Sequence, residues 1–377
     1  MIQALKNLFV PNRSPELDFR ASQFRLVWRK FRRHRLAKIG MVGLFVMYIL
    51  ATFAEFFVPV DPRQRHREYV YAPPSRIHVV DAEGRWHWPY IHGRTRTLNR
   101  ETFRYEFPEN VGVRYPIHVL VKRTPYHLLG LVPLNRTLFG TAEGAPPLFL
   151  MGADRMGRDL FSRIIYGGRI SLYIGFAGVG LSFFLGCLLG GISGYLRGRT
   201  DEVIQRFIDL LLCLPTLPLW MALSAAVPRD WGVTQTYFAI TLILAVVGWA
   251  GLARVVRGKF LALGQEEFVL AARAAGCSDA RIIFRHLFPS MASYLIVSVT
   301  IAIPGMILGE TGMSFLGLGM QSPAISWGVL LQDAQDLVNL AHHPWLLWPC
   351  FFVIAIVLMF NFVGDGLRDA ADPYARV

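Results

Sequence analysis

Residues 171–195 read SLYIGFAGVGLSFFLGCLLGGISGY, a stretch of 25 residues without a charged side chain. A helix needs about 20 apolar residues to cross a hydrocarbon core about 30 Å thick, because lipid offers no partner for unpaired backbone groups. The stretch therefore predicts a membrane-spanning helix. Five further windows meet the same requirement: 39–60, 204–227, 237–256, 291–311 and 345–364. Together they predict an all-α polytopic membrane protein with six transmembrane helices.

The composition of the 377-residue chain agrees with this prediction. Hydrophobic residues make up 53% and charged residues 17%, whereas soluble domains usually contain about 25% charged residues. The mean hydropathy is +0.38. The four cysteines form no CxxC pair and no cluster with zinc spacing, so neither a disulfide framework nor a structural metal is expected.

The net charge of +13 is distributed along the chain in a way that indicates which side of the membrane each segment occupies. Residues 1–38 form a basic tail with ten Lys/Arg and two Asp/Glu. Since basic segments stay on the cytoplasmic side, we expect the amino terminus in the cytoplasm. Six crossings return the tail 367–377 to the same side. A signal peptide has an apolar region of only about 7–15 residues, so the first span, 39–60, is expected to be retained. No nucleic-acid partner is expected.

The segment 61–168, between the first two spans, has a different character. It carries sixteen Lys/Arg and ten Asp/Glu, which a long external loop tolerates because such loops translocate largely regardless of charge. Residues 76–80 and 85–91 read as two strands around a turn, and 115–121 is a further β-branched run. We predict a small β-containing external insert, followed by a five-helix core over 169–366.

The sequence contains no recognisable catalytic motif. The patterns GxxxxGK[ST], GxSxG and HExxH are absent, so neither enzyme activity nor a cofactor bound to this chain is expected. Histidines 78, 87 and 92 of the insert lie along hairpin-like strands without metal-ligand spacing, which argues against a membrane-bound enzyme.

Some features inside the predicted spans are candidates for a translocation pathway or gate. Pro215 and Pro218 interrupt the third span, and Pro304 with Gly305 interrupts the fifth. Such breaks are tolerated where the backbone lines a cavity or packs on a neighbour. Glu310 lies near the external end of the fifth span, where a carboxylate is a functional candidate by default. Simple kinking and local ion pairing are the alternatives.

The longest loop expected in the cytoplasm, 257–290, predicts two short helices. Residues 266–275 have a helix-forming composition, and Gly276 is expected to end that helix. Asp279 is expected to help cap a second helix that Pro289 ends. A compact knob of this kind suits docking into a groove of another protein.

This loop resembles the cytoplasmic signature of permease subunits of ATP-binding-cassette importers, in the dipeptide, oligopeptide and nickel branch. That signature has two alanines, a glycine four residues beyond them, and a proline closing the next helix. The matching residues here are Ala271, Ala272, Gly276 and Pro289. Leu270 stands where many relatives have a glutamate. The resemblance implies an ATPase-coupling role for Glu266, Glu267, Ala271, Ala272, Gly276, Asp279 and Pro289.

Three further segments, 151–175, 308–334 and 364–373, resemble the same branch. The resemblance implies the type I importer permease fold in a bacterial inner membrane, a second homologous permease and a periplasmic solute-binding protein. It also implies two cytoplasmic ATPases, which bind the ATP and magnesium. Candidates for external contact with the binding protein, or for a gate, are Arg155, Arg158, Asp159 and Arg163. Solvated charges on an interfacial helix are the alternative.

The expected function is therefore that of a permease subunit in an ATP-driven, binding-protein-dependent importer. Its cargo is expected to be a peptide or a similar small solute, with nickel complexes, opines and oligosaccharides left open. The alternative is an ion-coupled secondary transporter without ATPases. That class should show a carboxylate near the middle of the bilayer and two symmetric halves, and neither is evident in the sequence.

Overall fold

A computed structural model of the protein describes residues 23–371 apart from positions 82, 102 and 229. Most of the basic tail predicted over 1–38, and most of the tail predicted over 367–377, lie outside the described residues. In chain order the α-helices are α1 Gln23–Phe31, α2 Arg35–Thr52, α3 Ala54–Phe57, α4 Leu160–Leu196, α5 Gly198–Cys213, α6 Thr216–Ala225, α7 Val233–Leu263, α8 Glu267–Ala274, α9 Asp279–Ile282, α10 Phe288–Ser290, α11 Ala292–Phe315, α12 Trp327–Leu331, α13 Leu337–His342 and α14 Trp348–Ala371.

Five of these helices, α2, α4, α7, α11 and α14, are long and apolar enough to cross a membrane. The third predicted span is a bent pair, since α5 and α6 meet at 92°. Pro215 lies at the bend, where its ring and missing N–H prevent a helix from running straight through. With the bent pair counted as one span, the chain has the six predicted spans.

The second spanning helix begins earlier than its hydropathy predicted. Helix α4 has 37 residues and starts at Leu160 rather than near 171. Asp159 caps it, with its carboxylate accepting a hydrogen bond from the Ser162 N–H at 2.9 Å. The boundary predicted at 168/169 therefore falls inside a helix, so the insert and the core share a continuous element.

Helices α4 and α7 approach closely because α4 presents glycines to α7. A Cβ atom placed on Gly190 would lie 2.5 Å from the carbonyl oxygen of Ala253, and one on Gly194 would lie 2.7 Å from the Cβ of Phe260. Gly186 faces Leu252 in the same way, at 3.0 Å. Small residues four apart bring helix backbones into direct contact, which is the main source of helix association where lipid removes the hydrophobic driving force.

The insert between the first two spans is built on strands, as predicted. β1 His78–Val80, β2 Trp86–Arg94, β5 Glu109–Leu128 and β6 Val132–Thr141 form an antiparallel sheet in that order, and β3 Thr97–Asn99 pairs separately with β4 Arg104–Glu106. The sheet rests on the bundle through β6, where the Phe139 and Phe161 rings lie 6.3 Å apart. We call this end of the bundle the insert end, and the opposite end the loop end.

We predict opposite effects on stability for two alanine substitutions in α4. Gly190→Ala should destabilise the protein, because the new methyl group meets backbone atoms of α7 that cannot move aside. Gly180→Ala should be neutral or stabilising by up to about 1 kcal/mol, since alanine favours helix and nothing lies within 4 Å of that position. Thermal unfolding in detergent would measure both. Equal unfolding midpoints for the two variants would contradict the close packing of Gly190 against α7.

Candidate functional site

The loop 257–290 contains the helix stop that its sequence predicts. Helix α8 ends as Gly276 adopts a φ of +76°, a backbone conformation that favours glycine. The Cys277 N–H donates to the Ala272 carbonyl at 3.0 Å, and the Gly276 N–H donates to the Arg273 carbonyl at 3.0 Å. These two bonds satisfy carbonyls that the end of the helix leaves free.

The second half of the loop differs from the prediction at Pro289. The chain continues from α9 through a π-helical turn, Ile283–Leu287, into α10, and the break before α11 comes at Met291. Pro289 therefore lies inside the helical run, and the prediction that it ends the helix is wrong. It lies in the three-residue helix α10, one residue before that helix ends at Ser290.

The inner side of the loop is anchored to the core. Val269, Ile282 and Leu287 are fully buried in one cluster with Val256 and Phe260 of α7. Burial of a large aliphatic side chain contributes about 1.5–3 kcal/mol relative to exposure. A force on the loop is therefore transmitted to α7 through tightly packed side chains.

The outer side of the loop is exposed. Six of the seven predicted coupling residues lie there, and only Ala272 is buried; the six are Glu266, Glu267, Ala271, Gly276, Asp279 and Pro289. Three exposed apolar side chains accompany them, Phe268, Leu270 and Phe284, with Phe284 71% exposed. Sequence reasoning missed both phenylalanines. The sequence could have identified them, because both lie outside the apolar stripe that packs the loop against the core.

Two polar contacts tie the loop end together. The Asp279 carboxylate accepts a hydrogen bond from the Tyr195 hydroxyl at the end of α4. Arg257 of α7 donates two hydrogen bonds to Asp201 of α5, at 2.6 and 2.7 Å. Such paired Arg–carboxylate bonds fix orientation as well as distance. The loop thus contacts α4 as well as α7.

At the insert end, the predicted contact residues form a buried ion network. Asp154, which sequence reasoning missed, accepts a 2.7 Å hydrogen bond from Arg158 and a further one from Arg163. Arg155 pairs with Asp333 at 2.9 Å. Asp159 and Arg163 are buried, with 0% and 2% of their surface exposed. Of the four predicted residues only Arg155 is largely exposed, so the alternative of solvated charges on an interfacial helix does not describe Asp159 and Arg163, and a role in contact or gating stays a prediction.

Burial perturbs the carboxylates of this network. It raises the pKa of Asp159 to about 7, because the ionised form loses solvation that the hydrogen bonds from Ser162 replace only in part. Burial also raises the pKa of Asp333, against the opposing effect of Arg155. The Oδ1 atom of Asp159 is buried without a hydrogen-bond partner, which agrees with a carboxyl group that holds its proton more tightly than usual.

Glu310 lies in the interior of the chain rather than on an open surface. Its fully buried carboxylate accepts hydrogen bonds from Ser171 at 3.0 Å and from Ser314 at 2.8 Å. The same two hydroxyl oxygens accept hydrogen bonds from the backbone N–H groups of Trp327, at 3.1 Å, and Met320, at 2.8 Å. This cluster joins α4, α11 and the segment between α11 and α12. Its position contradicts the expectation that the Glu310 side chain lines the pathway in this conformation.

The other predicted pathway residues divide between the interior and the surface. Pro304 is buried within the bundle, whereas Gly305, Pro215 and Pro218 are exposed. Within the described residues, no group of three or more His, Cys, Asp or Glu side chains is placed to hold a metal ion.

Two family profiles match this chain. Residues 186–377 match the binding-protein-dependent transport system inner membrane component, and residues 22–74 match the N-terminal TM domain of oligopeptide transport permease C. The chain belongs to this transport permease family. It is the permease subunit of an ATP-driven importer and a multi-pass inner-membrane protein rather than an enzyme. Residues 75–185, which contain most of the insert, lie outside both matched ranges.

Individual relatives agree with the family assignment. The oligopeptide transport system permease protein OppC of Bacillus subtilis is 38% identical over 226 residues, covering 60% of this chain and 72% of the relative. OppC of Haemophilus influenzae is 42% identical over 226 residues, with 60% and 70% covered. The dipeptide transport system permease protein DppC of Bacillus subtilis is 39% identical over 238 residues, with 63% and 72% covered.

A structure of the MetNI methionine ABC transporter in an inward facing conformation superposes with a TM-score of 0.47 and 16% sequence identity. The superposition covers 56% of this permease and 97% of that chain.

We predict that Asp154→Asn destabilises the permease by about 3–5 kcal/mol, because it leaves a buried arginine charge without its partner. The matched control is Asp61→Asn. Asp61 is 49% exposed and lies 3.6 Å from Arg123, whose side chain is 16% exposed, so loss of this partly exposed pair should cost less than loss of the buried network. Unfolding of both variants in detergent would compare the two costs. Equal losses would contradict a structural role for the buried network.

We also predict that Asp159→Asn flattens the pH dependence of stability. The carboxyl group has a pKa of 3.8 in its ordinary state and about 7 when folded, so folding is linked to proton uptake. Its contribution to stability is complete below about pH 4 and is lost as the pH rises through 7. The asparagine keeps the helix cap without titrating. Melting temperatures between pH 5 and 8 should fall more steeply in the unmodified permease than in the variant, and parallel curves would refute the assignment.

Proposed function

We propose that this permease imports peptides and that its loop 257–290 contacts the ATPase subunits. The observation that carries the coupling assignment is the two-sided construction of the loop. One side is buried against Phe260 of α7, whereas Phe268 and Leu270 of α8 are exposed without cover from this chain. Exposed apolar side chains grouped on a surface mark a protein contact.

The proposed coupling step follows from that construction. ATP binding can reorient the spans only if the ATPases contact the loop differently in the inward and outward states. A displacement of the loop would reach α7 through Val269 and Ile282, which pack with Phe260. Phe260 in turn lies against Gly194 of α4. The two longest spans would therefore move with the loop.

We propose that the loop end faces the cytoplasm and that both termini lie there. The basic tail 1–38 supports this orientation, and so do Arg197 between α4 and α5 and Arg199 in the first turn of α5. In this orientation the insert lies outside, where a periplasmic binding protein would deliver the cargo. The complete importer would contain this chain, a second homologous permease and two ATPases, which bind the ATP and magnesium.

We propose that part of the translocation pathway runs along a groove between α7, α11 and α14. The groove has a volume of about 920 Å³ and includes Lys259, Tyr294 and Ser298. Gly251, also on the groove, has open space where a side chain would project. Lys259, Tyr294 and Ser298 place polar groups in a groove that is otherwise lined mainly by apolar side chains, and polar groups between apolar helices suit a solute better than lipid. The second permease would close the open side.

Peptides are the proposed cargo because the similar permeases carry the names of oligopeptide and dipeptide transport systems. The test is reconstitution of the complete importer in proteoliposomes with its binding protein. We expect uptake of labelled di- or pentapeptides that requires ATP and competes with unlabelled peptide. Uptake by this chain alone, driven by an ion gradient, would instead support a secondary transporter.

We predict that Gly276→Leu abolishes ATP-driven uptake while the complex still inserts and assembles. Leucine is disfavoured at a φ of +76°, and its side chain would project from the outer side of the loop. Gly84→Leu is the matched control. Gly84 also has a positive φ, +80°, with open space around it, but lies in the insert. Uptake should survive in the control. Normal uptake in Gly276→Leu would refute the coupling assignment.

A further inference from the structure

The β5–β6 hairpin of the insert ends in an apolar tip, His127–Val132. Three residues, 129–131, separate the paired Leu128 and Val132, and the Leu131 N–H donates to the Leu128 carbonyl at 3.0 Å. Leu131 is 80% exposed, and Leu129 and Val132 are each about half exposed. Aliphatic side chains cannot make the hydrogen bonds that polar side chains make at an exposed turn. The tip therefore lacks the composition expected for contact with water alone.

The backbone of the tip also retains a strained residue. Leu129 adopts a φ of +53° and Gly130 a φ of +73°. A turn of this kind favours Asn-Gly, because asparagine tolerates the left-handed region better than leucine. Neighbouring packing does not explain the choice, since the Leu129 side chain is 47% exposed. An apolar residue kept at a position that disfavours it points to a contact outside this chain.

The contacts of the hairpin show that its tip points toward the membrane. Near its base, the Phe139 ring lies 6.3 Å from that of Phe161. Closer to the tip, Tyr126 lines a small cavity together with Tyr166 and Glu55. Phe161 and Tyr166 are five residues apart on α4, which is about 7.5 Å along the helix axis. The hairpin thus descends along the bundle toward the spans.

The tip reaches the level where the spans end. Glu55 forms an ion pair with Arg169 of α4 at 2.7 Å, and charged pairs of this kind mark the ends of spans rather than their centres. Tyr126 already lies beside Glu55. The turn extends roughly 10 Å farther, since a strand rises about 3.3 Å per residue. The leucines therefore lie at the depth of the headgroup and acyl boundary.

Two basic residues stand above the tip in an unfavourable arrangement. Lys122 of β5 and Arg136 of β6 face each other directly across the hairpin, and like charges in opposed positions destabilise a sheet. Both are exposed, and neither has an ion pair among the described residues. An anion between them would relieve the repulsion. Anionic headgroups would provide one at the height where basic residues flank an apolar membrane-binding segment.

We propose that the tip His127–Val132 inserts into the membrane interface at the insert end, with Lys122 and Arg136 on anionic lipid headgroups. The occupant of this surface is the lipid bilayer, because the hairpin is continuous with the ends of the spans and its charge is complementary to anionic lipid. The hairpin would hold the insert at a fixed height and angle above the bundle. This proposal needs only that the chain spans a membrane, so it can fail without affecting the proposed function.

The test is depth-dependent fluorescence quenching on the assembled importer in lipid nanodiscs. Leu131→Cys would be labelled with an environment-sensitive dye, in a background with the four native cysteines replaced by alanine. Val111→Cys is the matched control, since Val111 lies near the other end of β5 and is 70% exposed. Neither substitution removes buried packing. The nanodiscs would contain phosphatidylcholine and phosphatidylglycerol, with a quencher attached to the acyl chains.

We expect the acyl-chain quencher to reduce fluorescence at least about twofold more at position 131 than at position 111, because only the tip lies in the interface. An aqueous quencher should show the reverse order. Equal access of the aqueous quencher to both positions would overturn the proposal. A label at 131 shielded from both quenchers would also overturn it, since that result indicates a protein partner.

The charged residues have a separate test. Replacing phosphatidylglycerol with phosphatidylcholine should reduce lipid quenching at position 131, and the double substitution Lys122→Gln and Arg136→Gln should remove that difference. Quenching that does not depend on phosphatidylglycerol in the unmodified hairpin would overturn the assignment of these two residues to anionic headgroups.

Discussion

The close approach of α4 and α7 is the constraint on which the rest of the bundle depends. Gly186, Gly190 and Gly194 leave no space for side chains between the two helices, so the backbones are in direct contact. Dispersion at such short range replaces the hydrophobic driving force that lipid cannot supply. Because α4 and α7 are the two longest spans, their relative position sets where both ends of the bundle lie.

The two ends of the bundle are held by different physical means. At the insert end, polar groups are buried, and Asp154 and Glu310 each gather several hydrogen bonds from separate segments. Removing one partner from such a cluster leaves a desolvated group, so the segments move together or not at all. At the loop end, the loop is held mainly by aliphatic packing on Phe260, together with the hydrogen bond from Tyr195 to Asp279. Apolar packing is less directional, which suits an element that changes position during transport.

The insert carries an excess of positive charge, with sixteen Lys/Arg and ten Asp/Glu in 61–168. The preference of basic residues for the cytoplasmic side explains the charge of the basic tail, but it does not explain the charge of an external insert. Part of this excess is internal, since Arg158 and Arg163 share the single carboxylate of Asp154. Contact with anionic headgroups at the hairpin would account for another part.

Sequence by itself determined the six spans, the strand-built insert, the helix stop at Gly276 and the family, because hydropathy, strand alternation and turn chemistry act locally. Tertiary structure alone decided the 92° angle of the bend at Pro215, the burial of Arg163 and the burial of Glu310. Each depends on which groups meet from distant parts of the chain. Hydropathy reports the free energy of moving a residue out of water, and it does not distinguish lipid from the protein interior as the destination.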